Sequence, residues 1–234
     1  GKLRVSSDIT NCTHTHSHNR SNLKTLPFVE LNLAPNKAKQ LCKRCVLLKR
    51  MYELWSQGTD LQSAIEALNQ TIDDENITYA FTVTALYAKL DRKKQQDIRE
   101  RVLDRINPAG KVNLKTPDVT IYTVLVYGEE SCEPPTAAKD SIKFVITDKT
   151  KNKWRKLTHV YIGRDLGEGR RDLVHKFSLK KRPFLGPTST DAELAFLMAN
   201  QAQCKPGSIV IDTFVGTGSI LIPLSYFGAH CIGT

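Results

Sequence analysis

Ile209-Val210-Ile211-Asp212-Thr213-Phe214-Val215-Gly216-Thr217-Gly218 reads as a strand that runs into a glycine turn. Lys205-Pro206-Gly207 turns the chain into it, and Ile209 to Asp212 has the unbroken apolar character of a buried parallel strand. Gly216 and Gly218 let the backbone bend sharply and let a ligand lie against bare main chain. A helix is predicted from about Ser219 to Phe227, its free N–H groups directed into the turn, with Gly228 past its end. Ala229 to Gly233 then opens a second strand. This β-α-β order is the first part of a Rossmann-like α/β domain.

The turn also selects its ligand. Dinucleotide sites use G-x-G-x-x-G so that a pyrophosphate reaches the helix start. Here the third position is Leu221, and Asp212 stands where it would repel a diphosphate. The pattern favours a cationic, phosphate-free ligand such as S-adenosylmethionine over the NAD of an oxidoreductase. A purely structural turn in another α/β protein is the alternative.

Composition bounds the rest. The chain has 234 residues, 40% hydrophobic and 25% charged, which excludes disorder throughout; 13 Gly and 10 Pro exclude a collagen-like chain. No apolar run approaches a membrane span, and Gly1 to Val5 leads into polar residues with no secretory pattern. Six scattered cysteines do not form a disulfide framework. The expectation is a cytoplasmic protein with no membrane partner. Lys and Arg number 34 against 24 Asp and Glu, a net charge of +10, which favours a polyanionic partner.

Upstream of the turn the pattern changes to α+β. Residues 6 to 26 are polar and aperiodic, and Pro27 to Leu33 alternates as a strand does. Ala38, Leu41, Cys42, Cys45, Leu48, Tyr52 and Trp55 recur at three- and four-residue spacing, predicting one helix stopped by Gly58. Thr59 and Gln62 are read as opening a second helix, and Ile77 to Ala85 has the period of a strand. A charged helix is predicted over about Asp91 to Ile106, then strands over Val119 to Tyr127, Ile142 to Thr147 and Leu157 to Ile162. Thr190 and Glu193 suggest a capping box for a helix through Ala202.

Between Asp148 and Arg182, twelve basic residues (Lys149, Lys151, Lys153, Arg155, Lys156, Arg164, Arg170, Arg171, Lys176, Lys180, Lys181 and Arg182) face four acidic ones. A solvated linker is one reading; concentration of the surplus in one segment favours a phosphate-contacting surface.

Lys180-Lys181-Arg182-Pro183-Phe184-Leu185-Gly186-Pro187-Thr188-Ser189-Thr190-Asp191, Met198-Ala199-Asn200, Asp212 to Gly218 and Phe227-Gly228-Ala229 together resemble the tRNA guanine-10 N2-methyltransferase family, eukaryotic type. Gly110-Lys111-Val112-Asn113-Leu114-Lys115-Thr116-Pro117-Asp118 resembles the signature of the THUMP RNA-binding domain, and Tyr161-Ile162-Gly163-Arg164 its closing strand. Tyr52-Glu53-Leu54-Trp55 is similar to a helix of the family's N-terminal region. The resemblance implies S-adenosylmethionine-dependent methylation of the exocyclic N2 of a tRNA guanine, with a small zinc-binding activator subunit as partner. It implies an N-terminal ferredoxin-like region over 1–71, THUMP over 72–165, a basic linker over 166–183 and the start of a Rossmann-like methyltransferase domain over 184–234. Asp212, Phe214, Gly216, Thr217, Gly218, Ser189, Thr190 and Asp191 would hold the cofactor; Lys111, Lys115, Arg164, Lys180, Lys181 and Arg182 would meet tRNA.

Two positions depart from the family pattern. Thr213 stands where Pro follows the Asp, and the Asp/Asn-Pro-Pro-aromatic loop that orients a target amine is missing, Glu133-Pro134-Pro135-Thr136 having neither the place nor the aromatic. The chain is therefore read as a fragment whose catalytic residues lie beyond Thr234. A non-catalytic RNA-binding protein with a methyltransferase remnant is the rival. No metal site is expected: Cys42 and Cys45 read as core, Cys12 with His14, His16 and His18 as adventitious, and Tyr52 and Trp55 as core in preference to base-stacking platforms.

Overall fold

A computed structural model describes residues 3–7, 28–131, 144–148 and 153–234. In order along the chain these residues form β1 (Leu3–Ser7), β2 (Phe28–Leu31), α1 (Pro35–Cys42), β3 (Leu48–Gly58), α2 (Leu61–Glu66), β4 (Tyr79–Leu86), α3 (Arg92–Ile106) and β5 (Val119–Ser131). There follow β6 (Phe144–Asp148), β7 (Lys153–Glu168), α4 (Arg171–Lys176), a 3-10 turn (Leu179–Lys181), α5 (Ala192–Gln201), β8 (Ile209–Asp212), α6 (Leu221–Tyr226) and β9 (His230–Gly233). The fold is mixed α/β. Among the described residues no helix is long and apolar enough to cross a membrane.

The chain divides into two compact units, one of Gly1–Leu3 and Tyr52–Asp165, the other of Arg4–Met51 and Leu166–Thr234. In the first, the strand order is β3-β7-β5-β4, with β6 beside β7. β4 and β5 run parallel, Tyr79 opposite Val119 and Leu86 opposite Val126, whereas β5 and β7 are antiparallel, Tyr122 opposite Gly163. The sheet is thus mixed, and the parallel pair needs the crossover that α3 supplies. Ile98, Val102 and Ile106, the narrow apolar stripe of an otherwise charged helix, are fully buried against Phe81, Ile121 and Leu125. Asp91 caps α3 through Lys94 N, and Asn107 closes it in the left-handed region.

The helix predicted through Trp55 ends at Cys42, and residues 48–58 form β3 instead. Leu48, Met51, Tyr52 and Trp55 follow a helical spacing, and non-local sheet pairing overrides it. Tyr52 accordingly lies against Tyr122 of β5, ring centroids 5.1 Å apart, and Trp55 packs beside the core. The expected cap of α2 moves by one residue: Asp60 and Ser63 form the capping box, in place of Thr59 and Gln62. Cys45, expected on the helix's apolar face with Cys42, falls beyond the helix end.

In the second unit, Val46, Leu173 and Phe196 form one buried cluster, flanked by Phe177 and Phe227. Residues 166–183 contain the end of β7, α4 and the 3-10 turn. Leu173 and Phe177, four apart, bury one side of α4 despite the surrounding charge. β8 and β9 pair in parallel, Ile209 opposite His230, and Val210 packs with Ala199, Leu224 and Ala229. Ile209 and Ile211 remain 73% and 62% exposed, contrary to the fully buried strand predicted. Alternation sends Val210 towards the helices and its two neighbours to the opposite face, which no described element covers.

Candidate nucleic-acid and cofactor sites

The loop between α3 and β5 is fixed to the start of β4. Tyr79 N donates to Lys111 O and Asn113 N to Tyr79 O, at 3.0 and 2.9 Å. Asn113 Oδ1 accepts from Lys115 N and Thr116 N, an Asx turn that shapes the tip. A Cβ at Gly110 would run into the Ile77 carbonyl, so only glycine permits this approach. Asp118 closes the loop by accepting from Thr78 N and Thr78 Oγ1 at 2.8 and 2.7 Å, bonds that hold its carboxyl below the usual carboxylate range. The result is a rigid tip that exposes Lys111, Lys115 and Leu114, the last 80% exposed.

Arg164 has a different setting in the same unit. It forms an ion pair with Glu53, and both line a cavity of about 320 Å³ with Trp55, Ile72 and Asp73. In the basic segment several arginines are engaged with oxygen acceptors. Arg155 Nη1 donates to Gly128 O at 2.9 Å, and Arg170 makes a two-pronged bond to Asp172 at 2.9 Å and a third to the Tyr226 hydroxyl. The Arg170 bonds hold the Asp172 carboxyl low. Lys156, Lys176, Lys180 and Lys181 are exposed. Lys149 and Lys151 lie outside the described residues, as do Cys12, His14, His16, His18 and Glu133 to Thr136.

The glycine turn is built within the second unit. Gly216 and Gly218 have φ of +51° and +73°, in the left-handed region, and a Cβ at Gly218 would meet nothing within 4 Å. Asp212 Oδ1 accepts from Phe214 N at 3.0 Å, which turns the chain immediately after β8. Phe214 projects into solvent, 93% exposed. The helix after the turn is shorter than predicted: α6 starts at Leu221 and has six residues, because Thr217, Gly218 and Ser219 are used in the turn itself.

Three hydroxyls tie this turn to the loop before α5. Ser189 Oγ lies 3.0 Å from Thr217 Oγ1, which lies 3.2 Å from Ser219 Oγ. Thr190 N donates to Ser219 Oγ at 3.2 Å, and Gly186 N to Ser189 Oγ at 3.0 Å. Arg182 Nη1 donates to the same Ser219 oxygen at 2.8 Å. Asp191 is the N-cap of α5, accepting from Glu193 N at 2.8 Å, where Thr190 was the expected cap. Composition alone gave no signal for the Ser219 and Arg182 contributions, since a buried serine and a half-buried arginine look like surface residues in a sequence.

A family model described as the Tmrp11 THUMP N-terminal domain matches residues 13–171. The chain belongs to this family. Among its curated relatives, the tRNA (guanine(10)-N(2))-methyltransferase TRMT11 of Xenopus laevis is 32% identical over 216 residues, covering 89% of this chain and 41% of the relative. The tRNA (guanine(10)-N(2))-methyltransferase of Saccharomyces cerevisiae is 31% identical over 215 residues, covering 89% and 46%. The chain thus spans less than half the length of these curated relatives. A solved structure, that of TrmN from Thermus thermophilus, aligns over 99% of this chain and 64% of its own, with 13% identity and a TM-score of 0.47.

Proposed function

We propose that the complete protein methylates N2 of guanosine 10 in tRNA with S-adenosylmethionine, and that this chain supplies the tRNA-holding region and part of the donor site. The relatives' names supply the reaction. The observation that carries it here is the Asp212–Gly218 turn, where both glycines hold positive φ and open space lies over Gly218. Such bare main chain fits a ligand at close range. The Asp212 carboxylate at the end of β8 disfavours a diphosphate, and the Ser189 and Thr217 hydroxyls supply hydrogen bonds beside the turn, a set that fits a phosphate-free ligand.

When bound, the sulfonium donor supplies an electrophilic methyl group. The chain's residues bind and orient it: Gly216 and Gly218 offer main chain, Thr217 and Ser189 offer hydroxyls, and Phe214 offers an exposed ring for stacking. Thr190 and Asp191 fix the neighbouring loop and helix start. Lys111, Lys115, Lys180 and Lys181 meet tRNA phosphates as mobile point charges. Arg164 is held by its ion pair with Glu53.

In this reading residues 1–71 are a ferredoxin-like region, 72–165 the THUMP domain, 166–183 a basic connection and 184–234 the start of a Rossmann-like domain. A small zinc-binding activator subunit is the proposed protein partner and the cytoplasm the proposed location. The test is methyl transfer by the complete polypeptide to a tRNA carrying guanosine or inosine at position 10. Incorporation into the guanosine substrate and none into inosine, which lacks the exocyclic amine, is expected. Binding of both tRNAs without transfer to either would favour the non-catalytic RNA-binding reading.

A further inference from the structure

Arg182 follows two exposed lysines and shares their charge, yet its side chain engages the glycine turn. It is half-buried, Nη1 donates to Ser219 Oγ at 2.8 Å, and Nε is shielded from solvent without a hydrogen-bond partner. Ser219 itself is 5% exposed. Its oxygen receives two donors, Arg182 Nη1 and Thr190 N. A hydroxyl oxygen has two lone pairs, so both are occupied and the Ser219 proton must be donated onward. Its neighbour at 3.2 Å is Thr217 Oγ1, and the next oxygen, 3.0 Å further, is Ser189 Oγ.

We propose that Arg182 is a positioning residue of the methyl-donor site: it fixes the direction of a Ser219–Thr217–Ser189 hydroxyl relay. Ser219 donates to Thr217, and Thr217 donates to Ser189. Ser189 already accepts from Gly186 N, so its two lone pairs are also filled. The Ser189 proton is then left for an acceptor on a bound ligand. Removing the guanidinium frees a lone pair on Ser219 and allows the relay to reverse, which turns the Ser189 proton back into the protein. Lysine in its place supplies one donor of similar reach. Arg182 therefore belongs to the donor site, and the RNA-facing charge of this segment resides in Lys180 and Lys181.

This inference rests on the reading of the turn as a site for S-adenosylmethionine, and the test separates the two. The complete polypeptide and its Arg182→Ala, Arg182→Lys, Ser189→Ala and Lys180→Ala/Lys181→Ala variants are titrated with S-adenosylmethionine by calorimetry. Their tRNA affinity is measured across a salt series. Arg182→Ala is expected to weaken cofactor binding about tenfold, with Arg182→Lys recovering most of the loss. On a Ser189→Ala background the Arg182→Ala change should add little, because both break one relay. The salt slope of tRNA binding should be unchanged by Arg182→Ala but reduced by about 2 in the double lysine variant.

Wild-type cofactor affinity in Arg182→Ala, or a salt slope reduced by about 1, overturns the proposal and makes Arg182 a phosphate contact. Should Arg182→Ala fail to melt cooperatively, Arg182→Met, which keeps the apolar stem without the donor, and Ser219→Ala carry the same comparison. Wild-type protein that binds no S-adenosylmethionine contradicts the underlying reading as well, a result distinct from wild-type binding that Arg182→Ala leaves intact.

Discussion

Arg44 joins parts of the second unit that are distant in sequence. Its Nη1 donates to Cys204 O at 2.6 Å, its Nε to Asn200 Oδ1 at 3.2 Å, and its guanidinium stacks over Phe227, 3.9 Å from the ring centroid. Asn200 returns a bond to Arg44 O at 3.1 Å. Arg44→Ala is predicted to destabilise this unit by about 2–3 kcal/mol in urea unfolding, through lost charged hydrogen bonds and stacking. Arg44→Lys should recover less than half, since an ammonium reproduces neither the two-directional donation nor the planar stack. Nothing in the sequence marked this residue, which reads as the interior of a Cys-x-x-Cys pattern. Its partners lie 156 and 160 positions away. Cys45 beside it has its thiol pushed up by burial, with the Arg44 charge opposing.

Elements with one clear period were legible: α3, β4, β5 and the β8-turn-α6-β9 run all stand within a few residues of their predicted places. β3 was not, because its apolar positions follow a helical spacing and the strand pairing that overrides it is non-local. α4 was obscured by charge, although one buried residue per turn suffices to anchor a short helix. Leu173→Ala is therefore predicted to cost about 2–4 kcal/mol in chemical denaturation, whereas a solvated linker would tolerate it within about 0.5 kcal/mol. A second prediction concerns the ends of β4 and β5, which Asp118 joins through Thr78. The folded carboxyl titrates below its unfolded counterpart, so its contribution is present above the unfolded value, about pH 4, and is lost as pH falls through the folded value. The stability difference between wild type and Asp118→Asn should be largest above about pH 4 and shrink in more acid solution. A difference constant with pH would show that the Thr78 bonds do not favour the ionised form.

At the scale of the molecule, part of the basic surplus behind the net charge of +10 is engaged internally. The arginines at 155, 164, 170 and 182 are engaged with carbonyl, carboxylate or hydroxyl oxygens, while lysines at 111, 115, 180 and 181 face solvent. Composition alone announced a polyanionic partner but not this division, which depends on tertiary contacts. Membership of the Tmrp11 THUMP N-terminal family and the glycine turn draw the charge and the cofactor chemistry into one proposal, donor-dependent methylation of tRNA. Its most direct test is calorimetric titration of the complete polypeptide with S-adenosylmethionine and, separately, with NAD, repeated for Gly218→Val. The proposal predicts saturable binding of S-adenosylmethionine, none of NAD, and loss of the signal when a branched side chain enters the open space at φ +73°. Absence of S-adenosylmethionine binding by wild-type protein that still unfolds cooperatively would contradict it.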